Sequence, residues 1–231
     1  MGTDIYQLID PAPLIKYGPD ILMSFWATIR LTLVSAVFAL ILGTVLAAMR
    51  VSPTPVLRAG GTLYVNTFRN TPLTLVLLFC SLGLSDTLGI KISEEPSVNG
   101  YWLAVIGLTI YHAAFVCEAL RSGVNTVDPG QSEAARSIGL TFFQTLRTVV
   151  LPQAFRAVIA PLGSLLIALT KNTTIVIVAG YWEASAQMKQ MFDEVAATPA
   201  IFIGFALGFM VLTLPTGFFF GWLAKRKAVV R

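Results

Sequence analysis

Charged side chains are scarce in this chain. Asp, Glu, Lys and Arg together make up 12% of its 231 residues, whereas a soluble domain carries roughly a quarter. Hydrophobic residues make up 55%. So little charge beside so many apolar side chains excludes an ordinary soluble domain and favours a protein that crosses the membrane several times.

Residues suited to metal binding, disulfides and catalysis are equally few. The chain has a single histidine, His112, and two cysteines, Cys80 and Cys117, that lie inside apolar runs. Neither a metal cluster nor a disulfide is therefore predicted. The sequence lacks H-E-x-x-H, G-x-S-x-G and the phosphate loop G-x4-G-K-[ST]. We expect a chain that is not an enzyme and binds no cofactor or metal. Basic loops account for its net charge of +4, so nucleic-acid binding is not predicted.

Long apolar runs dominate the rest of the sequence. Each covers about 20 residues or more, enough to cross a hydrocarbon core of about 30 Å. Because a backbone in lipid must satisfy its own hydrogen bonds, the runs predict helices. The fold class is therefore an all-α polytopic membrane protein, a single transmembrane domain over residues 1–231. The predicted spans are 25–49, 63–84, 101–120, 155–178 and 200–223.

Basic residues predict the orientation of the spans. One set of loops holds ten of them: Arg50, Arg58, Arg121, Arg136, Arg147, Arg156, Lys225, Arg226, Lys227 and Arg231. The other set holds Lys16, Lys91, Lys171 and Lys189. The positive-inside rule places the first set in the cytoplasm. The C-terminus and the loop 121–154 are then cytoplasmic, and the N-terminus is outside.

The loop 121–154 carries helix signals of its own. Asp128-Pro129-Gly130-Gln131 predicts a helix start, with Asp128 as N-cap, Pro129 at the first position and Gln131 as in a capping box. This helix should end at Gly139, a favourable C-cap residue. Thr141-x-x-Gln144 predicts a second short helix that leads to Leu151-Pro152.

The same loop contains Glu133-Ala134-Ala135, then Gly139, then Val149-Val150-Leu151-Pro152. This EAA-x3-G-x9-[IV]-x-LP spacing resembles the cytoplasmic loop of ABC importer permeases, which docks onto an ATPase. An amphipathic loop lying on lipid headgroups is the alternative. The resemblance implies that the following residues couple the chain to the ATPase: Gln131, Glu133, Ala134, Ala135, Arg136, Gly139, Leu151 and Pro152.

Further stretches resemble the permeases for polar amino acids, of the histidine, glutamate, glutamine and arginine type. Arg69-Asn70-Thr71-Pro72-Leu73 is similar to their R-G-T-P-L, and Glu118-Ala119-Leu120-Arg121-Ser122-Gly123 to their E-x-x-R-G-G. Asn70 and Ser122 each replace a glycine of the pattern. Gly130-Gln131-Ser132-Glu133-Ala134-Ala135 matches G-Q-x-E-A-A, and Lys171-Asn172-Thr173-Thr174 resembles K-[DN]-[ST]-[ST]. Taken together, these stretches favour a glutamate-type permease.

The resemblance implies a multi-subunit importer in a bacterial plasma membrane. Its expected partners are a second permease subunit, identical or paralogous, two ATP-binding subunits, and an extracytoplasmic substrate-binding protein that delivers a polar amino acid. ATP and Mg²⁺ belong to the ATP-binding subunits. Import would proceed by alternating access, and the ATP-binding subunits would drive the conformational change through the loop 121–154.

Polar residues within the spans are candidates for the substrate route. Lys171, Asn172, Thr173 and Thr174 lie in the outer half of the fourth span, where a lysine with hydroxyl groups suits a carboxylate; helix–helix hydrogen bonding is the alternative role. Arg69 and Glu118 lie at matched depth in the inner half of their spans. They form either a structural ion pair or a substrate contact. Arg30, near the outer interface, can snorkel to the headgroups.

Two other classes fit the hydropathy less well. A secondary transporter or channel would share the buried charges, but it would not need the EAA spacing, and such transporters are often built from repeats. A membrane-embedded enzyme would need a catalytic pair or a metal site, and the sequence offers neither pattern.

Overall fold

The computed structural model describes residues 10–195 and 199–227, and every regular element among them is helical. Arg231, one of the basic residues counted above, lies outside this range. The α-helices are α1 Ala12–Lys16, α2 Gly18–Val51, α3 Pro55–Arg69, α4 Leu73–Leu78, α5 Pro96–Asn125, α6 Pro129–Ser137, α7 Phe142–Thr145, α8 Leu151–Asn172, α9 Ala184–Val195 and α10 Pro199–Lys227. A π-helix Phe79–Thr87 follows α4, a π-helix Leu146–Val150 precedes α8, and a 3₁₀-helix Thr173–Ala179 follows α8.

Among the described residues, four helices are long and apolar enough to cross a membrane. They are α2, α5, the continuous stretch Leu146–Ala179, and α10. They contain the first, third, fourth and fifth predicted spans, which confirms the all-α membrane fold. Each helix is longer than the apolar run within it, because polar end residues such as Asp20 and Arg50 continue the helix past the apolar stretch.

The second predicted span, 63–84, is divided in the structure. α3 and the helix Leu73–Thr87 meet at an angle of 104°. Pro72 explains the break, because proline lacks an N–H and disfavours helical backbone at the residue before it. Pro72 itself is extended, with φ −60° and ψ 135°. A fifth span exists only if this bent pair crosses the membrane as one unit.

The chain forms two compact units. The first comprises Met1–Val37, Thr71–Thr109 and Ala168–Pro215. Its apolar core is built from buried residues of α9 and α10, with Ile21 and Phe25 of α2 packed against them. Phe25 stacks on Phe205 with ring centroids 5.7 Å apart. The buried members of this core are Ala184, Met191, Ile201 and Phe205.

The second unit comprises Phe38–Asn70, Ile110–Ile167 and Thr216–Arg231. Small residues let its helices approach closely, the usual packing mode within membranes. A Cβ built on Gly43 would lie 2.6 Å from Val116 Cβ, and one on Gly123 would lie 2.1 Å from Val158 Cγ1. The buried core members are Leu46, Val65, Ala113, Ala114 and Cys117.

Candidate functional site

The first half of the polar loop is a short, side-chain-capped helix. Asp128 is the N-cap of α6, and its Oδ1 accepts a hydrogen bond of 2.8 Å from the Gly130 N–H. α6 ends at Ser137, and Gly139 follows with φ +95°, a left-handed conformation that suits glycine. The start and end predicted from sequence are confirmed. Gln131 departs from the prediction, because its Oε1 accepts a 2.6 Å bond from Gln153 Nε2, which ties the start of α6 to α8.

The second half of the loop contains a reciprocal capping box. The Thr141 N–H donates to Gln144 Oε1 at 2.9 Å, and the Gln144 N–H donates to Thr141 Oγ1 at 3.3 Å. The capping box predicted at these residues is therefore confirmed. The helix it starts, α7, does not stop before Leu151-Pro152. It continues through the π-helix into α8, so Pro152 lies inside a continuous helical stretch, where its missing N–H removes one backbone hydrogen bond.

The loop presents a mixed polar and apolar surface to solvent. Glu133, Ala134 and Arg136 of α6 are exposed, whereas Ala135 is buried. Beside them, Ile138 is 81% exposed and Phe142 is 73% exposed. Sequence reasoning overlooked these two apolar residues. The sequence did contain a signal for them. α6 and α7 are short helices on either side of Gly139, and such short helices offer too little surface to bury a large side chain. Exposed apolar groups of this kind, rimmed by charge, are typical of a protein interface.

Glu118 lies among three arginines. Arg50 Nη1 donates to Glu118 Oε1 in a very short contact, Arg121 Nη2 is 3.2 Å from Oε2, and Arg69 Nη1 is 3.5 Å from Oε1. The Arg69 guanidinium also lies over the Phe115 ring, 6.0 Å from its centroid. The predicted Arg69–Glu118 pair is thus present. Sequence reasoning missed Arg50 and Arg121 as partners, because it assigned both of them to loops.

The stretch Lys171 to Thr174 lies where α8 tightens into the 3₁₀-helix. Lys171 is exposed, and Thr173 is fully buried. The Thr173 hydroxyl donates to the Thr170 carbonyl and the Thr174 hydroxyl to the Lys171 carbonyl, each at 2.8 Å. Both hydroxyls therefore donate their hydrogen bonds to backbone carbonyl groups of the helix. Lys171 is the member of the stretch whose charged group reaches solvent-accessible space.

One buried carboxylate was not singled out from the sequence. Glu183, in the turn before α9, is completely buried. It accepts hydrogen bonds from the Thr28 hydroxyl at 3.0 Å and from the Ser185 N–H at 2.8 Å. Burial raises the pKa of the Glu183 carboxyl above its ordinary value, and these donors oppose the shift. Among residues 10–195 and 199–227, no group of His, Cys, Asp and Glu is arranged to hold a metal ion.

These features define a class. Apolar helices that span the membrane, with an exposed EAA loop carrying two capped short helices, make an ABC importer permease whose ATPase is a separate chain. Residues 22–229 match the family described as Binding-protein-dependent transport system inner membrane component, and the chain belongs to this family.

Individual relatives cover nearly the whole chain. Glutamate transport system permease protein GluC of Corynebacterium efficiens is 53% identical over 218 residues, which are 92% of this chain and 96% of the relative. Probable glutamine ABC transporter permease protein GlnM of Bacillus subtilis is 33% identical over 202 residues, 87% of this chain and 90% of the relative. A solved structure described as "Crystal structure of an amino acid ABC transporter with histidines" superposes with a TM-score of 0.86 at 28% identity, over 94% of this chain and 99% of that one.

Proposed function

We propose that this permease subunit imports glutamate or a closely related acidic amino acid. The observation that carries the proposal is the 53% identity, over 92% of the chain, to a permease named for glutamate transport. The exposed Lys171 supports it, since its ammonium group attracts a substrate carboxylate. A cationic amino acid would be repelled at the same position.

The working complex we infer has two permease subunits, two ATP-binding subunits and an extracytoplasmic binding protein. The two permeases are either identical or paralogous. ATP and Mg²⁺ are bound by the ATP-binding subunits, and this chain contributes the pathway and the docking loop.

Docking on the ATPase is assigned to the exposed surface formed by Glu133, Ala134, Arg136, Ile138 and Phe142. The small Ala134 lets a partner approach the α6 backbone closely, and the two apolar side chains offer area that association would remove from water. Closure of the ATPase subunits would move α6 and α7. Because α7 continues without a break into α8, that movement is transmitted directly to the membrane helix. Gln131, Gly139, Leu151 and Pro152 hold the loop in shape, while Ala135 packs beneath it.

Loop charge supports a cytoplasmic docking loop and C-terminus and an outside N-terminus. Single cysteines at Gln131 and Lys227 should be shielded from an impermeant thiol reagent in intact cells, whereas one at Glu94 should react. The native Cys80 and Cys117 are replaced first. The reverse labelling pattern would contradict the orientation and the docking assignment with it.

Lys171 is the residue we assign to the substrate route, with Asn172, Thr173 and Thr174 shaping the helix around it. Lys171→Gln should depress glutamate uptake more than basal ATP hydrolysis, and Lys171→Glu should depress it further. Arg69 and Glu118 are assigned to a structural ion-pair network, since Glu118 is surrounded by arginines. Full-rate glutamate uptake by Lys171→Glu would remove Lys171 from the route.

The decisive experiment for the function is reconstitution. The complex of this chain with its ATPase and binding protein is placed in proteoliposomes, and ATP hydrolysis is measured with glutamate, aspartate, glutamine and arginine in turn. We expect glutamate or aspartate to stimulate hydrolysis and to accumulate in the lumen. Accumulation that does not require ATP would instead indicate a secondary transporter.

A further inference from the structure

The first unit contains an open cleft of about 810 Å³ that the proposed function has not used. It lies beside the N-terminal third of α2, the start of α5 and the segment that leads into α9. Its walls combine tryptophans and tyrosines with one arginine. The lining residues that matter for its chemistry are Trp26, Arg30, Tyr101, Tyr181, Trp182 and Gln187.

Arg30 is held in a defined position on the cleft wall. Its Nη2 donates to the Tyr181 hydroxyl oxygen at 3.0 Å, and its guanidinium lies 5.1 Å from the centre of the Tyr101 ring. The two tyrosine rings lie against each other with centroids 5.1 Å apart. A guanidinium has five N–H donors in a fixed plane, and the bond to Tyr181 uses one of them. The others remain to meet a ligand in the geometry that carboxylates accept.

Two further side chains of the cleft, Tyr181 and Gln187, offer hydrogen-bond donors, whereas Asp20 is an acceptor and the Ser24 and Ser97 hydroxyls donate to Ile21 and Glu95. The Tyr181 hydroxyl accepts from Arg30, so its own proton is available to an acceptor in the cleft. The Trp182 Nε1–H donates to Gln187 Oε1 at 3.3 Å, which leaves the Gln187 amide nitrogen as the donor end of that side chain. These two donors beside one guanidinium suit a ligand with anionic oxygens.

The cleft lining also carries one negative charge. Asp20 belongs to the lining and lies in the first turn of α2. Ten residues of helix separate it from Arg30, about 15 Å along the axis. A ligand with one ammonium and one carboxylate group can therefore contact Asp20 and Arg30 through opposite ends at different points of the cleft. An anionic phospholipid such as phosphatidylglycerol has no cation for Asp20.

Hydrogen bonds between residues outside the cleft lining join the segment that carries Tyr181 and Trp182 to α2. Thr28 donates to Glu183 Oε2, and the Ala184 N–H donates to Thr28 Oγ1 at 3.2 Å. Thr28 is two residues before Arg30 on the same helix. Glu183 is thus a positioning residue, because it holds the Tyr181–Trp182 turn against the helix that presents the guanidinium.

We propose that this cleft receives the amino acid on its way into the permease, with Arg30 binding a substrate carboxylate. The proposal rests on the import function inferred above and adds a second contact site, separate in sequence from Lys171. Arg30 and Lys171 would then act on the anionic substrate in succession. The Arg30 guanidinium also favours acidic substrates over cationic ones before Lys171 is reached.

The test uses the complex of this chain with its ATPase in nanodiscs of phosphatidylcholine. Trp26 and Trp182 line the cleft, so tryptophan fluorescence reports its occupancy, with a Trp182→Phe variant to assign the signal. The probes are glutamate with two carboxylates, glutamine with one, and glutamine amide with none. We expect a saturable response that weakens in this order and is absent for glutamine amide.

The variants separate a ligand contact from a structural role. In nanodiscs, Arg30→Gln should weaken the glutamate response by about ten-fold or more, the usual loss for a charge-assisted hydrogen bond. In proteoliposomes that also contain the binding protein, the same variant should slow glutamate uptake to a similar extent. The glutamate response and uptake of Arg30→Lys should lie between those of wild type and Arg30→Gln, because an ammonium cannot bind a carboxylate through two parallel donors. Lys91→Gln removes a positive charge outside the cleft lining and should behave as wild type. Melting temperature and complex yield verify that each variant is folded.

Two results would overturn the inference. One is an Arg30→Gln complex that is folded and gives the wild-type titration and uptake; glutamate import by that complex would leave the proposed function standing. The other is a wild-type signal that changes when phosphatidylglycerol is added without amino acid and is insensitive to glutamate, because the cleft would then be a lipid site. A wild-type complex that imports no acidic amino acid, yet gives a carboxylate-dependent titration abolished by Arg30→Gln, would contradict the proposed substrate and support the cleft.

Discussion

Replacing Glu118 with glutamine should destabilise the permease. Most of the lost stability should come from Arg50, which is left without its carboxylate partner, and less from the other two arginines. Glu118→Gln removes the negative charge that faces Arg50, Arg69 and Arg121 but keeps the size of the side chain. The Arg50 side chain is 11% exposed, whereas Arg69 is 45% exposed and Arg121 is 39% exposed. Arg50 is therefore left as a charge with little water to solvate it.

The magnitude follows from these exposures. Breaking a buried pair by removing one partner costs roughly 3–5 kcal/mol, whereas exposed pairs contribute about 0–1 kcal/mol. Glu118 itself is 21% exposed, so the lower end applies and we expect a loss of about 3 kcal/mol for Glu118→Gln. Arg50→Gln should cost about 1–2 kcal/mol, because Glu118 keeps two partners. Arg69→Gln should cost less than about 1 kcal/mol.

The assay is the melting temperature of the purified complex in one detergent. At about 2–4 °C per kcal/mol for a chain of this length, Glu118→Gln should lower the melting temperature by about 6–12 °C. The double variant Arg50→Gln with Glu118→Gln should recover part of that loss, because no poorly solvated charge remains. If Arg69→Gln proved as damaging as Arg50→Gln, or if the double variant showed strictly additive losses, the assignment of Arg50 as the dominant partner would be wrong.

Three other outcomes are expected. Gly139→Val forces a branched residue into left-handed backbone and should cost at least about 1–2 kcal/mol in loop stability, seen as lost ATPase stimulation with normal membrane insertion; full stimulation would contradict a docking role. Gly123→Ala should destabilise by about 1–3 kcal/mol because its Cβ would lie 2.1 Å from Val158, whereas Gly60→Ala, with 3.8 Å to its nearest neighbour, should be tolerated in the same melting assay. Glu183 has a raised pKa, so the folded state binds its proton more tightly than the unfolded state, and stability should fall as pH rises above about 4.5. Glu183→Gln should flatten this part of the pH–stability curve, and an unchanged slope would show that another group produces it.

The spans and the capped helices of the loop 121–154 were predictable because their signals are local. An apolar run long enough for the bilayer predicts a helix wherever it occurs, and the cap at Asp128 and the box at Thr141 and Gln144 depend on residues at most three positions apart. To predict the 104° break before Leu73, one would have to know whether the proline only kinks the helix, which a helix tolerates, or ends it. The hydropathy of the run gives no information on that choice.

Long-range contacts were harder to predict. Matched depth brought Arg69 and Glu118 together, but Arg50 lies at the end of a helix whose extent beyond its apolar run is not encoded in hydropathy. Glu183 resembled any acidic loop residue, because its burial depends on Thr28, 155 positions away. The cleft around Arg30 likewise combines three separate segments, and no spacing within one segment indicates it.

The capped loop has a consequence for how the transporter is put together. The turn at Gly139 and the bonds at Asp128, Thr141 and Gln144 are all made within the loop, so its shape does not depend on a partner. In the docking that we propose, an ATPase subunit meets a surface that is already ordered, and no conformational entropy of the loop backbone is lost on contact. We expect association to be a single-step encounter whose rate depends on charge and salt rather than on a slow folding step.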